Sequence, residues 1–192
     1  MALPKSFETK KNLALRKIVE ATNEGAILGW PKPTPDDFRT FGEMMWLYSS
    51  IDFVLIATAT VMDINGMLGP PYKGKIQNYG MQKINEGLLS SKIWSGRNRG
   101  ALERIQEIRG LRNLIAHFVV KRFPNDDAFL FITNSAYDFE QVYGVKPAPG
   151  HVLYGILESQ VVAGVLPEIG HLLQWAKDLP LSIATPVQQG GS

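Results

Sequence analysis

The chain has 192 residues, of which 45% are hydrophobic and 20% charged, and it carries a formal net charge of +2 at neutral pH. This suits a globular domain with a real core, and so mild a positive charge does not by itself mark a nucleic-acid-binding protein. The absence of cysteine excludes disulfides, thiol catalysis and the common cysteine-based zinc sites. His117, His151 and His171 lie far apart and show no H-x-x-x-H spacing, so no metal and no other cofactor is expected.

The N-terminal dozen residues hold no apolar run of the secretory type, and a cytoplasmic location is expected. A first helix is predicted over Ser6 to Asn23, with Leu13, Leu15, Ile18 and Val19 as its apolar residues. Gly25, Gly29, Pro31, Pro33 and Pro35 then mark a linker. Thr34-Pro35-Asp36-Asp37 is a helix start, with Thr as cap, Pro at the first position and acids at the positive end of the dipole. The helix it opens runs to about Met62 and stops at Asp63-Ile64-Asn65-Gly66.

Within that helix, Met44 to Met62 approaches the roughly 20 apolar residues of a membrane span. Asp52 sits near its centre, where a carboxylate costs roughly 2.5–3.5 kcal/mol on insertion scales. A buried central helix of a soluble bundle, with no membrane partner, is the expectation.

A third helix is predicted over Lys75 to Ser91, weakened by Gly80 and Gly87. A fourth covers Arg97 to Val120 and ends before Pro124-Asn125-Asp126-Asp127. Ala128–Thr133 and Tyr137–Tyr143 flank Asn134-Ser135 and predict a β-hairpin. The last helix spans Pro149 to Leu179, kinked or split at Pro167. The expected fold is all-α, a helical bundle with a small β-hairpin before the last long helix.

Around the fourth helix, Ile108, Leu111, Ile115, Phe118 and Val119 fall on one side as a core stripe. Gln106, Arg109, Gly110, Asn113 and His117 fall on the other, and Arg112 lies on the flank. A solvated polar face accounts for this seam on geometry alone. The residue types point further. Histidine can trade a proton near neutral pH, and arginine offers a planar fork of donors for a phosphate. Those are the two parts needed to cleave RNA without a metal.

Arg112-Asn113-Leu114-Ile115-Ala116-His117 resembles the Rx4–6H motif of HEPN domains, in its R-N-x-x-x-H form. The setting is similar too, late in an amphipathic helix and before a basic turn, a short hairpin and a long helix. The resemblance covers about Thr34 to Leu179. It bounds a HEPN-like helical domain (34–179) after the N-terminal helix and linker (1–33), and the end of the chain, with Thr185-Pro186-Val187-Gln188-Gln189-Gly190-Gly191-Ser192, is expected to be a disordered tail (180–192).

The resemblance implies a two-fold homodimer whose motif helices line a cleft, and a metal-independent endoribonuclease that leaves a 2′,3′-cyclic phosphate. It implies RNA as substrate and a toxin or defence role, with an antitoxin or nucleotidyltransferase-like protein as a further partner. His117 takes the place of the catalytic histidine, Arg112 that of the phosphate-binding arginine, and Asn113 that of the residue orienting the pair. Other HEPN domains are non-catalytic binding or regulatory modules, which is the alternative function.

Asp52 is the one charge inside the second helix's apolar run. It is either a carboxylate that orients Arg112 or Arg109, or a solvent-facing one. Lys121 and Arg122 after the motif, and Arg97, Arg99, Arg104 and Arg109 before it, form either an RNA-binding rim or an ordinary charged surface. His151 and His171 are expected to be structural or exposed. Trp94-Ser95-Gly96 lacks a phosphate-binding loop pattern.

Overall fold

The first five residues of Ala128–Thr133 are all apolar, a run that suits a strand covered on both faces. In the computed structural model, which describes residues 9–94, 96–147 and 153–184, this run is β2. It lies at the centre of an antiparallel sheet, between β1 (Val119–Arg122) and β3 (Leu153–Glu158). The helices are α1 (Lys10–Ala21), α2 (Glu24–Leu28), α3 (Pro35–Ile64), α4 (Met81–Leu89), α5 (Gly96–His117), α6 (Ala136–Tyr143) and α7 (Ser159–Ala184). The protein is therefore mostly helical with one small three-stranded sheet.

The described residues form two compact units, one within 1–46 and 106–168, the other within 47–105 and 169–192. The first is built on the sheet. Ala128 and Leu130 pack with Leu15 and Val19 of α1, Ile27 of α2 and Phe123. The alternate residues Phe129 and Phe131 meet Phe41 of α3, with ring centroids 5.0 and 6.3 Å apart. Each buried side chain of this size contributes roughly 1.5–3 kcal/mol. Helix α1 also binds β3 through Asn12 Nδ2, which donates to the Ile156 carbonyl at 3.2 Å. The N-terminal helix thus belongs to the core of the first unit.

The start of α3 is as the sequence predicts. The Asp37 amide donates to Thr34 Oγ1 at 3.2 Å, and the Thr34 amide to Asp37 Oδ2 at 2.6 Å, a reciprocal capping box.

Several predicted elements take another form. Helix α5 stops at His117, because the β-branched pair Val119-Val120 pairs with Ile132 and Phe131 of β2. The predicted hairpin is instead β1 with β2. Its expected second strand is helix α6, capped by Ser135 Oγ, which accepts from the Asp138 amide at 3.1 Å. Gly144 closes α6 in the left-handed region, at φ 69°.

The start predicted for the last helix is also replaced. Residues 148–152 lie outside the described residues, Leu153–Glu158 is a strand, and α7 begins only at Ser159. Helix α7 is not split at Pro167 and runs on to Ala184, so the part of the predicted tail that is described is helical. The third helix is shorter than predicted. Ile76–Asn78 is a single 3-10 turn, and Gly80 caps α4.

In the second unit, Tyr48, Ile51, Leu55 and Met62 of α3, Leu88 of α4, Leu102 and Ile105 of α5 and Ile169 and Ala176 of α7 are buried. Asn85, buried on α4, donates to the Leu102 carbonyl at 3.1 Å. Trp175 donates to Asn98 Oδ1 at 3.0 Å, tying α7 to α5.

Candidate functional site

The last two turns of α5 lie in the first unit, and their outer side opens into a cleft of about 300 Å³. It is lined by Asn113 and His117 of α5 and by Tyr137, Asp138 and Val142 of α6. Asn113 and His117 are four residues apart, so they stack on one face a turn apart. His117 ends α5 and is exposed, and the chain turns there directly into β1. Its position is thus fixed from behind by the strand pairing of Val119 and from within by buried Leu114 and Phe118.

Arg112 stands one residue outside this face. Its Nη1 donates to Asn113 Oδ1 at 3.3 Å, so the guanidinium is coupled to a side chain that lines the cleft. Arg112 Nε is buried and has no hydrogen-bond partner among the described residues. The motif is therefore brought together as a lining pair, Asn113 and His117, with Arg112 tethered to it.

The opposite wall is α6, which sequence reasoning read as a strand. Asp138 sits in the first turn of α6, with its backbone held by the Ser135 cap, and is half-buried. Tyr137 is 70% exposed at the cleft, while Val142 is fully buried beneath it. The signal for this wall lay in Ser135-x-x-Asp138 and Gly144, a start and a stop for a helix, with Phe139, Val142 and Tyr143 at helical spacing between them.

The sheet supports α6 through a missing side chain. Gly155 of β3 faces Tyr143, and a Cβ there would overlap the Tyr143 hydroxyl and touch Leu114 of α5. Helices α5 and α6 therefore close over the same point of the sheet.

The remaining candidates are not among the residues that line this cleft. Arg109, expected on the polar seam, is only 5% exposed, and Gly110 beside it is buried as well. The buried side of α5 is wider than the expected stripe, for it includes Leu114. Val119, expected in that stripe, is exposed, since the helical phase ends at His117.

Lys121 lies in β1 rather than in a turn, and its Nζ donates to the carbonyls of Leu28 at 2.5 Å and Trp30 at 3.4 Å. Arg122 bridges Asp127 at 2.5 Å, Ser159 at 3.3 Å and Asp37 at 3.6 Å. Both cations thus pin the first unit together. Asp52 and Arg104 belong to the second unit, each half-buried. His171 is exposed on α7, and His151 lies outside the described residues. Among the described residues no group of three His, Asp or Glu side chains is placed to hold a metal ion.

No family model, no curated protein and no solved structure matches this chain.

Proposed function

We propose that the cleft between α5 and α6 is the active site of a metal-independent endoribonuclease of HEPN type. The observation that carries the reading is the shared lining of one cleft by Asn113 and His117, with Arg112 bonded to Asn113. In this reaction His117 takes the proton from a ribose 2′-hydroxyl, and the 2′-oxygen attacks the adjacent phosphorus. The bond to the 5′-oxygen breaks, leaving a 2′,3′-cyclic phosphate and a 5′-hydroxyl. Arg112 supplies the fixed positive charge for the phosphorane, and Asn113 orients the guanidinium. The leaving oxygen needs a proton from a second acid, which a His117 from a second copy would provide. Tyr137 offers an exposed ring on which a base can stack.

A second reading rests on Asp138. A carboxylate in the cleft repels phosphate, which favours a non-catalytic module that binds a cationic or neutral partner there.

Incubating mixed single-stranded and structured RNA with the protein in EDTA separates the two. The ribonuclease reading predicts cutting by the wild type with cyclic-phosphate ends. It also predicts a loss of about 100-fold or more in His117→Ala, the scale of a general acid–base group. Intact RNA with the folded wild type supports the binding module.

A further inference from the structure

Helix α3 carries apolar residues around its whole circumference, a property of helices that are covered on every side. In the second unit only one side of it is covered. Tyr48, Ile51, Leu55, Ala59 and Met62 are fully buried. The opposite side presents Phe53 at 75% exposure and Ile64 at 79%, with Ile56, Ala57 and Val61 exposed between them. Thr60, also on this side, spends its hydroxyl on the Ile56 carbonyl at 2.8 Å and so adds little polarity.

The order of these residues is symmetric. From Phe53 to Ile64 the stripe reads two bulky residues, two small ones and two bulky ones: Phe53 and Ile56, Ala57 and Thr60, Val61 and Ile64. An antiparallel copy of the helix, crossing midway between Thr58 and Ala59, sets Phe53 against Ile64, Ile56 against Val61 and Ala57 against Thr60. The small residues fall at the crossing point, where axes approach to about 8 Å. A surface that complements itself about one axis is the requirement of a two-fold interface.

We infer that the α3 face from Phe53 to Ile64 is the surface on which two copies of this chain pair, antiparallel and in that register. Two such stripes remove at most on the order of 1,000 Å² from water, the lower edge of protein–protein interface size, which suits a reversible pair. Burial in a bilayer is disfavoured by the half-buried Asp52 and Asp63 on the flanks of the stripe, since each would enter hydrocarbon at roughly 2.5–3.5 kcal/mol. The pairing requires nothing of the α5 cleft and stands whether or not the protein cuts RNA.

The test is sedimentation of the full chain at micromolar concentration, for wild type, Phe53→Glu, Ile64→Lys and an equimolar mixture of the two variants. Both positions are well exposed, and circular dichroism checks that each variant keeps its helices. A dimeric wild type is expected, with the dissociation constant raised at least tenfold in each variant. Dimers should return in the mixture, where one end gains a carboxylate opposite an ammonium and the other keeps the native Phe53–Ile64 contact. A monomeric wild type, variants that dimerise as the wild type does, or a mixture that stays monomeric would each overturn the proposal. So would wild-type binding to phosphatidylcholine–phosphatidylglycerol vesicles that both variants lose, which would assign the stripe to a lipid surface.

Discussion

The first unit exposes apolar residues on separate elements, such as Leu28 of α2, Phe38 of α3 and Val119 of β1, whereas the second exposes them as one continuous stripe along α3. In the first, β2 is covered by α1 and α2 on one face and by Phe41 on the other. The first unit also holds the open cleft to which Asn113, His117, Tyr137 and Asp138 bring polar groups. In the second, α3 keeps Phe53 and Ile64 exposed. An open cleft with a few convergent polar groups on a well-packed scaffold is suited to chemistry, and an open apolar stripe is suited to association.

Substitutions in the two units should therefore be felt in different measurements. Leu130→Ala, in the sheet core, is expected to lower unfolding free energy by about 2–5 kcal/mol. Phe53→Ala should leave the stability of the isolated chain within about 0.5 kcal/mol and weaken only self-association. Denaturant titration at concentrations where the wild type is monomeric checks both, and equal losses would erase the distinction.

Gly155→Ala sharpens the link between sheet and cleft. The added methyl must displace Tyr143, at about 1–3 kcal/mol for overpacking, and moving α6 should also slow RNA cleavage. A variant with lowered stability and unchanged cleavage would show that the α6 wall is not needed. Ser135→Ala removes the cap of α6 and should cost about 0.5–2 kcal/mol, seen as a lower melting temperature with the sheet intact.

The smallest effect concerns Tyr154. Burial, together with the nearby Glu20 carboxylate, raises its hydroxyl above the ordinary value. The folded chain then keeps the phenol neutral where the unfolded chain ionises it. That contribution is fully present below about pH 10 and is lost as pH rises further. Tyr154→Phe should flatten this alkaline loss of stability, and an unchanged slope would assign the loss to other groups.

Much of the motif's setting was legible in the sequence, because it depends on local chemistry. The Thr34 cap, the long apolar α3, and the α5 phase that stacks Asn113 on His117 all follow from short-range patterns. The partner wall did not. Tyr137–Tyr143 has aromatic and β-branched residues that suit a strand, and the marks of a helix are the flanking Ser135-x-x-Asp138 and Gly144 with the spacing of Phe139, Val142 and Tyr143. The strand at Leu153–Glu158 was hidden for a different reason. Its alternation is satisfied by partners distant in sequence, β2 at 20 or more residues and α1 farther still. Arg109 was misplaced because burial on α5 is set by tertiary neighbours as well as by helical phase.

The central claim is that His117 handles the proton in the cleft. The most direct measurement is RNA cleavage in EDTA by His117→Ala with added imidazole, set beside Asn113→Ala under the same conditions. The account predicts that imidazole restores cutting, with 2′,3′-cyclic phosphate ends, to His117→Ala alone. Wild-type cutting by His117→Ala without imidazole would contradict it.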